Sequence, residues 1–150
     1  LYLEQKRKSR GWVTKRRTGV APTDLPFLLA ETAPDGWVGD WFHLALRERR
    51  LAPRCQVTYR RVARVGEAEG SPIRLTMDRR IRCGVLAEIA LPEMEEGAGA
   101  PLEVTILELK FRNTMPRLFK ELTRQFRLTP TASSKYRQAV SLCGLLPVGG

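Results

Sequence analysis

Basic side chains recur at every second position in several segments of this 150-residue chain, as if one face of a β-sheet were reserved for positive charge. Charges scattered over a surface would not need such phasing. If the sheet curls into a barrel lined by these side chains, its low-dielectric walls strengthen their field on a polyanion threading through. The pattern therefore predicts one basic face of a sheet, which would line a tunnel if the sheet closes. Its candidate residues are Lys6, Lys8, Lys15, Arg17, Arg61, Arg74, Glu108 and Lys110.

Glu108 is the odd acid in this set. In the segment ILELKF, the alternation places Glu108 and Lys110 on the face opposite the apolar side chains. A carboxylate among cations has two uses. It forms an ion pair with Lys110 or an arginine, or it holds a divalent metal that bridges phosphate oxygens. The residues alone leave both uses open.

The composition favours an anionic partner. Lys and Arg number 26 against 16 Asp and Glu, which gives a net charge of +10 and a pI near 10.3. Nucleic acid, nucleotide, polyphosphate and an acidic membrane surface all fit this charge, and a basic surface kept for solubility is the alternative. A nucleic-acid binder would need aromatic side chains interleaved on the basic face, where only Tyr59 clearly shares it.

Cysteine and histidine chemistry finds little support. Cys55, Cys83 and Cys143 are widely spaced, odd in number and without a CxxC pair, which argues against a zinc site or a disulfide framework and favours a reducing cytoplasm. His43 is the only histidine, in a helix-like stretch rich in Trp and Leu, and we expect it to be packed or on the surface rather than catalytic. No apolar run approaches the ~20 residues that span a bilayer.

The secondary structure that must position these residues is predicted to begin with strands and to end with helices. This order predicts an α+β fold with a mainly antiparallel sheet and no internal repeat. The length favours one domain. The predicted strands are 1–8 and 12–20, which form a hairpin with a turn at 9–11, then 55–65, 73–83, a short strand after 84 that leads into an acidic Gly/Ala-rich loop, and 102–111. The predicted helices are 37–50, 115–128 with an apolar stripe of Leu118, Phe119, Leu122 and Phe126, and 134–143.

The order of the motifs LEQKRK, VTKRR, YRRVA, IRLTMD, LELKF and SSKY resembles the polyphosphate polymerase (VTC) domain of the triphosphate tunnel metalloenzyme superfamily. The resemblance covers nearly the whole chain and implies an antiparallel β-barrel whose tunnel is lined with basic residues, followed by C-terminal helices. It also implies that residues 1–150 are the C-terminal part of a single such domain. Upstream strands that hold the nucleotide would then be missing, and we expect this stretch alone to be an incomplete, inactive tunnel.

The resemblance also assigns roles to individual positions. Substrate phosphates would be bound by Lys6, Lys15, Arg17, Arg61, Arg74, Ser134 and Lys135. Of these, Arg61, Arg74 and Lys135 are the candidate catalytic residues, and Glu108 matches the metal-ligating glutamate.

The implied reaction transfers the γ-phosphate of a nucleoside triphosphate such as ATP onto a polyphosphate chain. It uses a divalent cation, typically manganese, with magnesium as the alternative. The resemblance allows a membrane-associated partner or a fused domain and implies no specific nucleic acid. Related domains that bind polyphosphate without catalysis make a polyphosphate- or inositol-phosphate-binding module the alternative function.

Overall fold

The computed structural model describes residues 1–9, 12–89 and 98–145, apart from the side chain of Lys8. The chain folds into two compact units: the first holds the described residues of 1–53 and 86–89, the second those of 54–85 and 98–145. The described strands are β1 (Tyr2–Ser9), β2 (Trp12–Gly19), β3 (Cys55–Ala68), β4 (Ser71–Val85), β5 (Ala100–Leu102) and β6 (Ile106–Lys110). The described α-helices are α1 (Asp40–Glu48), α2 (Arg117–Gln125) and α3 (Lys135–Leu142).

The first unit is built on the antiparallel hairpin of β1 and β2, which confirms the hairpin predicted for the start of the chain. Its register pairs Lys6 with Lys15, so their side chains share one face, and part of the predicted turn lies outside the described residues. The opposite face packs on α1: the indole of Trp41 donates to the Thr18 hydroxyl at 2.9 Å, and the Arg16 guanidinium lies 4.3 Å from its ring centroid.

Helical structure in the first unit differs from the prediction for 37–50. The helix α1 begins only after Gly39, and a 3₁₀ helix at Pro22–Leu28 occupies what the sequence presented as a loop. Pro22 lies in the first turn of this 3₁₀ helix, where its missing N–H leaves no helical hydrogen bond unmade. His43 of α1 is 2% exposed, and its Nε2 lies 3.0 Å from the Ala30 carbonyl oxygen. The expectation of a packed histidine is therefore confirmed.

The second unit is a four-stranded antiparallel sheet in which β4 pairs with β3 on one side and with β5 and β6 on the other. A two-residue turn at Glu69 and Gly70 joins β3 to β4, and both residues have positive φ, as a type I′ hairpin turn requires. The single strand predicted for 102–111 is two strands, β5 and β6. The short strand predicted after 84 is absent from 86–89, and the rest of the predicted acidic loop lies mostly outside the described residues.

A bulge changes which side of β4 is buried. Tyr59 of β3 lies opposite two residues of β4, Arg80 and Ile81, and Arg80 adopts a left-handed conformation with φ of 50°. Before the bulge the buried side chains of β4 have even numbers, as at Asp78; after it they have odd numbers, as at Cys83. The bulge therefore ends the polar face and begins the apolar core of this unit.

The C-terminal helices complete the second unit. The helix α3 packs on β3, β4 and β5. The helix α2 buries Phe119 against Phe111, with ring centroids 6.3 Å apart. Only part of its predicted apolar stripe is covered, because Leu118 is 54% exposed and Phe126 is 63% exposed.

The α+β class, the antiparallel pairing and the C-terminal helices are confirmed. The described strands form two separate sheets, and neither closes into a barrel, which agrees with the expected incomplete tunnel. Among the described residues no helix has the length and apolar character needed to cross a membrane.

Candidate functional site

A buried carboxylate organises the polar face of the second unit. Asp78 of β4 is 2% exposed and lies directly opposite Arg61 of β3. The Nε and Nη2 atoms of Arg61 donate to the two oxygens of Asp78 at 2.6 and 2.8 Å, and Nζ of Lys135 donates to Oδ2 at 2.6 Å. Both cations lie over the Tyr59 ring, 5.0 and 4.8 Å from its centroid. We call these four residues, Tyr59, Arg61, Asp78 and Lys135, the Asp78 cluster.

Asp78 and Arg61 keep their charges at neutral pH. The hydrogen bond from Arg61 lowers the pKa of Asp78 to about 2, with a further contribution from Lys135, although burial opposes the shift. The same bond raises the pKa of Arg61. A guanidinium has five N–H donors and an ammonium three, so Asp78 uses only part of this capacity. Because the side chains of Arg61 and Lys135 remain 35% and 24% exposed, the other donors can reach an anion.

Glu108 lies on the same face of the sheet as Asp78. The register places it opposite Thr76, whose hydroxyl donates to Glu108 Oε2 at 3.5 Å, and Lys110 Nζ is 3.3 Å from Oε1. The ion pair expected as one use of this carboxylate is therefore present.

The residues around Glu108 do not form a complete metal site. Within the described ranges no three His, Cys, Asp or Glu side chains gather as a metal-binding group. A Mg²⁺ or Mn²⁺ ion held through one carboxylate would need phosphate oxygens and water as its other ligands, as is common for hard cations on phosphate substrates. The half-exposed Glu108 carboxylate fits such a metal, which would arrive with the substrate.

Arg74 belongs to a second position along this face. It pairs with Lys110 across β4 and β6, two residues along each strand from the pair of Thr76 and Glu108. A cavity of about 450 Å³ opens beside it. The cavity is lined by the cations Arg74, Lys110 and Arg112 together with Val65, Gly66, Pro72, Ile73 and Phe111. The structure thus gathers Arg61 with Lys135, and Arg74 with Lys110, as two cation pairs on one sheet face.

The first unit carries a cation cluster of its own. Glu4 of β1 lies 2.7 Å from Lys15, 3.3 Å from Lys6 and 3.7 Å from Arg17, and the guanidinium of Arg17 stacks on Tyr2 at 3.8 Å. The hydrogen bond from Lys15 is the main reason why the pKa of Glu4 lies below its ordinary value. The common face predicted for Lys6, Lys8, Lys15 and Arg17 is present for Lys6, Lys15 and Arg17, and the side chain of Lys8 lies outside the described residues. Their convergence with the Asp78 cluster in one tunnel stays a prediction.

Ser134 has a structural contact beside its predicted role. It is the N-cap of α3, and its hydroxyl oxygen accepts from the Arg137 backbone N–H at 3.4 Å. The cap fixes where α3 begins and therefore where the next residue, Lys135, leaves the helix towards Asp78. Ser134 itself is exposed, and phosphate contact by its hydroxyl stays a prediction.

The three cysteines are free thiols in the second unit. Cys83 is buried, its Sγ donates to the Ala100 carbonyl oxygen at 3.5 Å, and desolvation raises its pKa to about 11. Burial also raises the pKa of Cys55. Nucleophilic and metal-binding cysteine chemistry requires the thiolate, which these environments disfavour.

Sequence reasoning missed the two carboxylates, Glu4 and Asp78, around which the cations gather. The position of Asp78 opposite Arg61 could have been predicted from the sequence. A two-residue turn at Glu69 and Gly70 pairs Ala68 with Ser71, and counting back along both strands pairs Arg61 with Asp78.

The fold and these clusters define a class: an α+β domain whose sheet faces present cation clusters suited to a polyanion. The family model of the VTC domain matches residues 1–143, and the chain belongs to this family. No curated protein and no solved structure matches the chain. The family supports a polyphosphate-related function.

Proposed function

We propose that this chain supplies the phosphate-binding face of a polyphosphate polymerase, which transfers the γ-phosphate of a nucleoside triphosphate to a polyphosphate chain. One observation carries the proposal. Arg61 from a strand and Lys135 from a distant helix meet at Asp78 with unused N–H donors, on the sheet face that also bears Glu108.

The residue types suit phosphoryl transfer. The reaction asks little covalent chemistry of the protein, so catalysis depends on positioning and on neutralising the phosphate oxygens. Arg61 and Arg74 offer planar forks that match two oxygens at once, and Lys135 offers a point charge. Spaced along one face, these cations suit a chain of repeating phosphates better than a single phosphate group. On the first unit, Lys6, Lys15 and Arg17 would contact the same kind of chain.

Glu108 would hold the divalent cation. When bound, Mn²⁺ or Mg²⁺ would neutralise charge on neighbouring phosphate oxygens. Thr76 orients the Glu108 carboxylate by its hydrogen bond, and Lys110, 3.3 Å from the same carboxylate, would contribute a positive charge beside the phosphate.

A polyphosphate- or inositol-phosphate-binding module without catalysis is the second candidate. It is favoured because no group of three metal-binding side chains forms among the described residues, and a surplus of cations with a weak metal site suffices for binding. Binding and synthesis therefore have to be measured separately.

The test uses the full-length polypeptide with Mn²⁺ and ATP, and it measures acid-insoluble polyphosphate. Glu108→Ala should abolish synthesis while tripolyphosphate binding and the circular dichroism spectrum remain. Glu121→Ala is the matched control, because Glu121 forms only an exposed pair with Arg117 on α2. Unchanged synthesis in Glu108→Ala would remove Glu108 from the mechanism. A wild-type protein that binds tripolyphosphate but makes no polymer would support the binding module instead.

A further inference from the structure

Asp78 presents an electrostatic problem for a phosphate site. Its carboxylate is ionised at neutral pH, since its pKa is about 2, and it lies between two cations predicted to bind phosphate. A negative charge in that place repels an incoming polyanion. Asp78 must therefore make a favourable contribution to phosphate binding that outweighs this repulsion.

Geometry indicates what Asp78 offers. Arg and Lys side chains lose much rotamer entropy when a ligand immobilises them, and two cations that share one phosphate also repel each other. Asp78 holds both beforehand: it fixes the Arg61 fork with two bonds and the Lys135 ammonium with one. The Tyr59 ring supports both cations from one side. The donors left over belong to side chains that have already been ordered.

We propose that Asp78 is a positioning residue, which presets Arg61 and Lys135 as one preorganised pair for phosphate oxygens. This inference rests on the proposed function of this face in binding a phosphate chain. Asp78 does not touch the substrate itself. It acts through the two cations, so its contribution to phosphate affinity should vanish when both are removed.

The inference makes a prediction whose sign opposes simple electrostatics. Asp78→Asn removes a negative charge from a phosphate site, so Coulomb attraction alone would tighten binding. The amide also offers only one acceptor oxygen where the carboxylate has two, and its NH₂ group faces a cation. If positioning dominates, tripolyphosphate binds more weakly to this variant despite the extra positive charge.

The experiment is calorimetric titration of the full-length polypeptide with inorganic tripolyphosphate at pH 7 in metal-free buffer. Metal-free conditions separate binding from Glu108 and from turnover. We expect Asp78→Asn to weaken binding about 10-fold, the equivalent of losing one charge-assisted contact. In the Arg61→Ala, Lys135→Ala double variant, the same substitution should weaken binding no further. Glu121→Gln should bind as the wild type does.

Asp78→Glu gives a second measurement that does not depend on the asparagine variant folding. It keeps the charge but moves the carboxylate by one methylene from a position where its contacts are 2.6 to 2.8 Å. A loss of about 3-fold or more supports positioning, because net charge is unchanged.

The outcomes separate the two proposals. Wild-type binding with equal or tighter binding by Asp78→Asn overturns the positioning role and leaves the proposed function standing. An equal loss in the double-variant background also overturns it, since Asp78 would then act on the fold as a whole. Absence of tripolyphosphate binding by the wild type overturns the proposed function together with this inference.

Discussion

Acidification should remove the stability that Asp78 gives to the folded chain. Its pKa falls from an ordinary value of 3.8 to about 2, chiefly because Arg61 donates to it. A carboxyl group whose pKa is depressed by folding stabilises the fold at pH values above its unfolded pKa. That contribution is lost as the pH falls through the folded pKa. The relevant window therefore runs from about pH 4 down to about pH 2.

The magnitude follows from the size of the shift. Each unit of pKa corresponds to about 1.4 kcal/mol, so the fall from 3.8 to about 2 is worth about 2 kcal/mol. Solvent screening reduces this little at Asp78, whose side chain is 3% exposed. Truncating one partner of a fully buried ion pair costs about 3–5 kcal/mol. The partial exposure of Arg61 and Lys135 lets both rehydrate, so we keep the lower figure.

The assay is urea unfolding of the wild type and Asp78→Asn in steps from pH 7 to pH 2. The difference in free energy of unfolding should be about 2 kcal/mol near neutrality and should shrink below pH 4. Far-UV circular dichroism is the probe, because Trp12, Trp37 and Trp41 all lie in the first unit and would not report on the second. Glu121→Gln should differ from the wild type by less than about 0.5 kcal/mol. A difference that stays constant from pH 7 to pH 2 would show that the substitution acts through packing rather than charge.

Two further substitutions test the second unit by the same urea assay. Phe119→Ala should lower the free energy of unfolding by about 3–5 kcal/mol, because its ring is 2% exposed and packs on Phe111. Phe126→Ala, at a 63% exposed position, should cost less than about 1 kcal/mol, and similar losses for both would contradict the packing described. Ser134→Ala should cost about 1 kcal/mol through loss of the α3 cap. Thr129→Ala, at an exposed position before α3, is its control, and equal losses would refute the capping assignment.

Alternation was the most reliable guide to this chain. Side chains of a strand point to opposite faces with a period of two, so the face shared by Glu108 and Lys110 followed from spacing alone. The shared face of Lys6, Lys15 and Arg17 was predicted from the same alternation along the two hairpin arms, whereas the direct pairing of Lys6 with Lys15 was not predicted. The register of β3 and β4 can also be predicted from the turn that joins them. This requires that the turn be assigned to two residues, Glu69 and Gly70.

The bulge and the helix ends could not be predicted in this way. Arg80 adopts a left-handed conformation that its residue type does not favour, so nothing local marks it. The bulge arises because the even-numbered polar face around Asp78 and the odd-numbered apolar positions after Ile81 both have to be accommodated along β4. Likewise, α1 begins late because Gly39 is its N-cap, with the Trp37 ring packed against the glycine, a contact that the helical spacing of 37–50 does not reveal.

The placement of the acids explains how the cation clusters exist without phosphate. Cations directly opposite each other on neighbouring strands are destabilising, as Lys6 and Lys15 would be. Glu4 offsets that pair, Asp78 offsets the cations of its own cluster, and Glu108 offsets Lys110. Glu4 and Asp78 each contact more than one cation, so their clusters keep a surplus of positive charge and unused donors. Under the proposed function, phosphate would bind to clusters that are already folded, and its affinity should depend on how well each acid holds its cations rather than on how many cations the face contains.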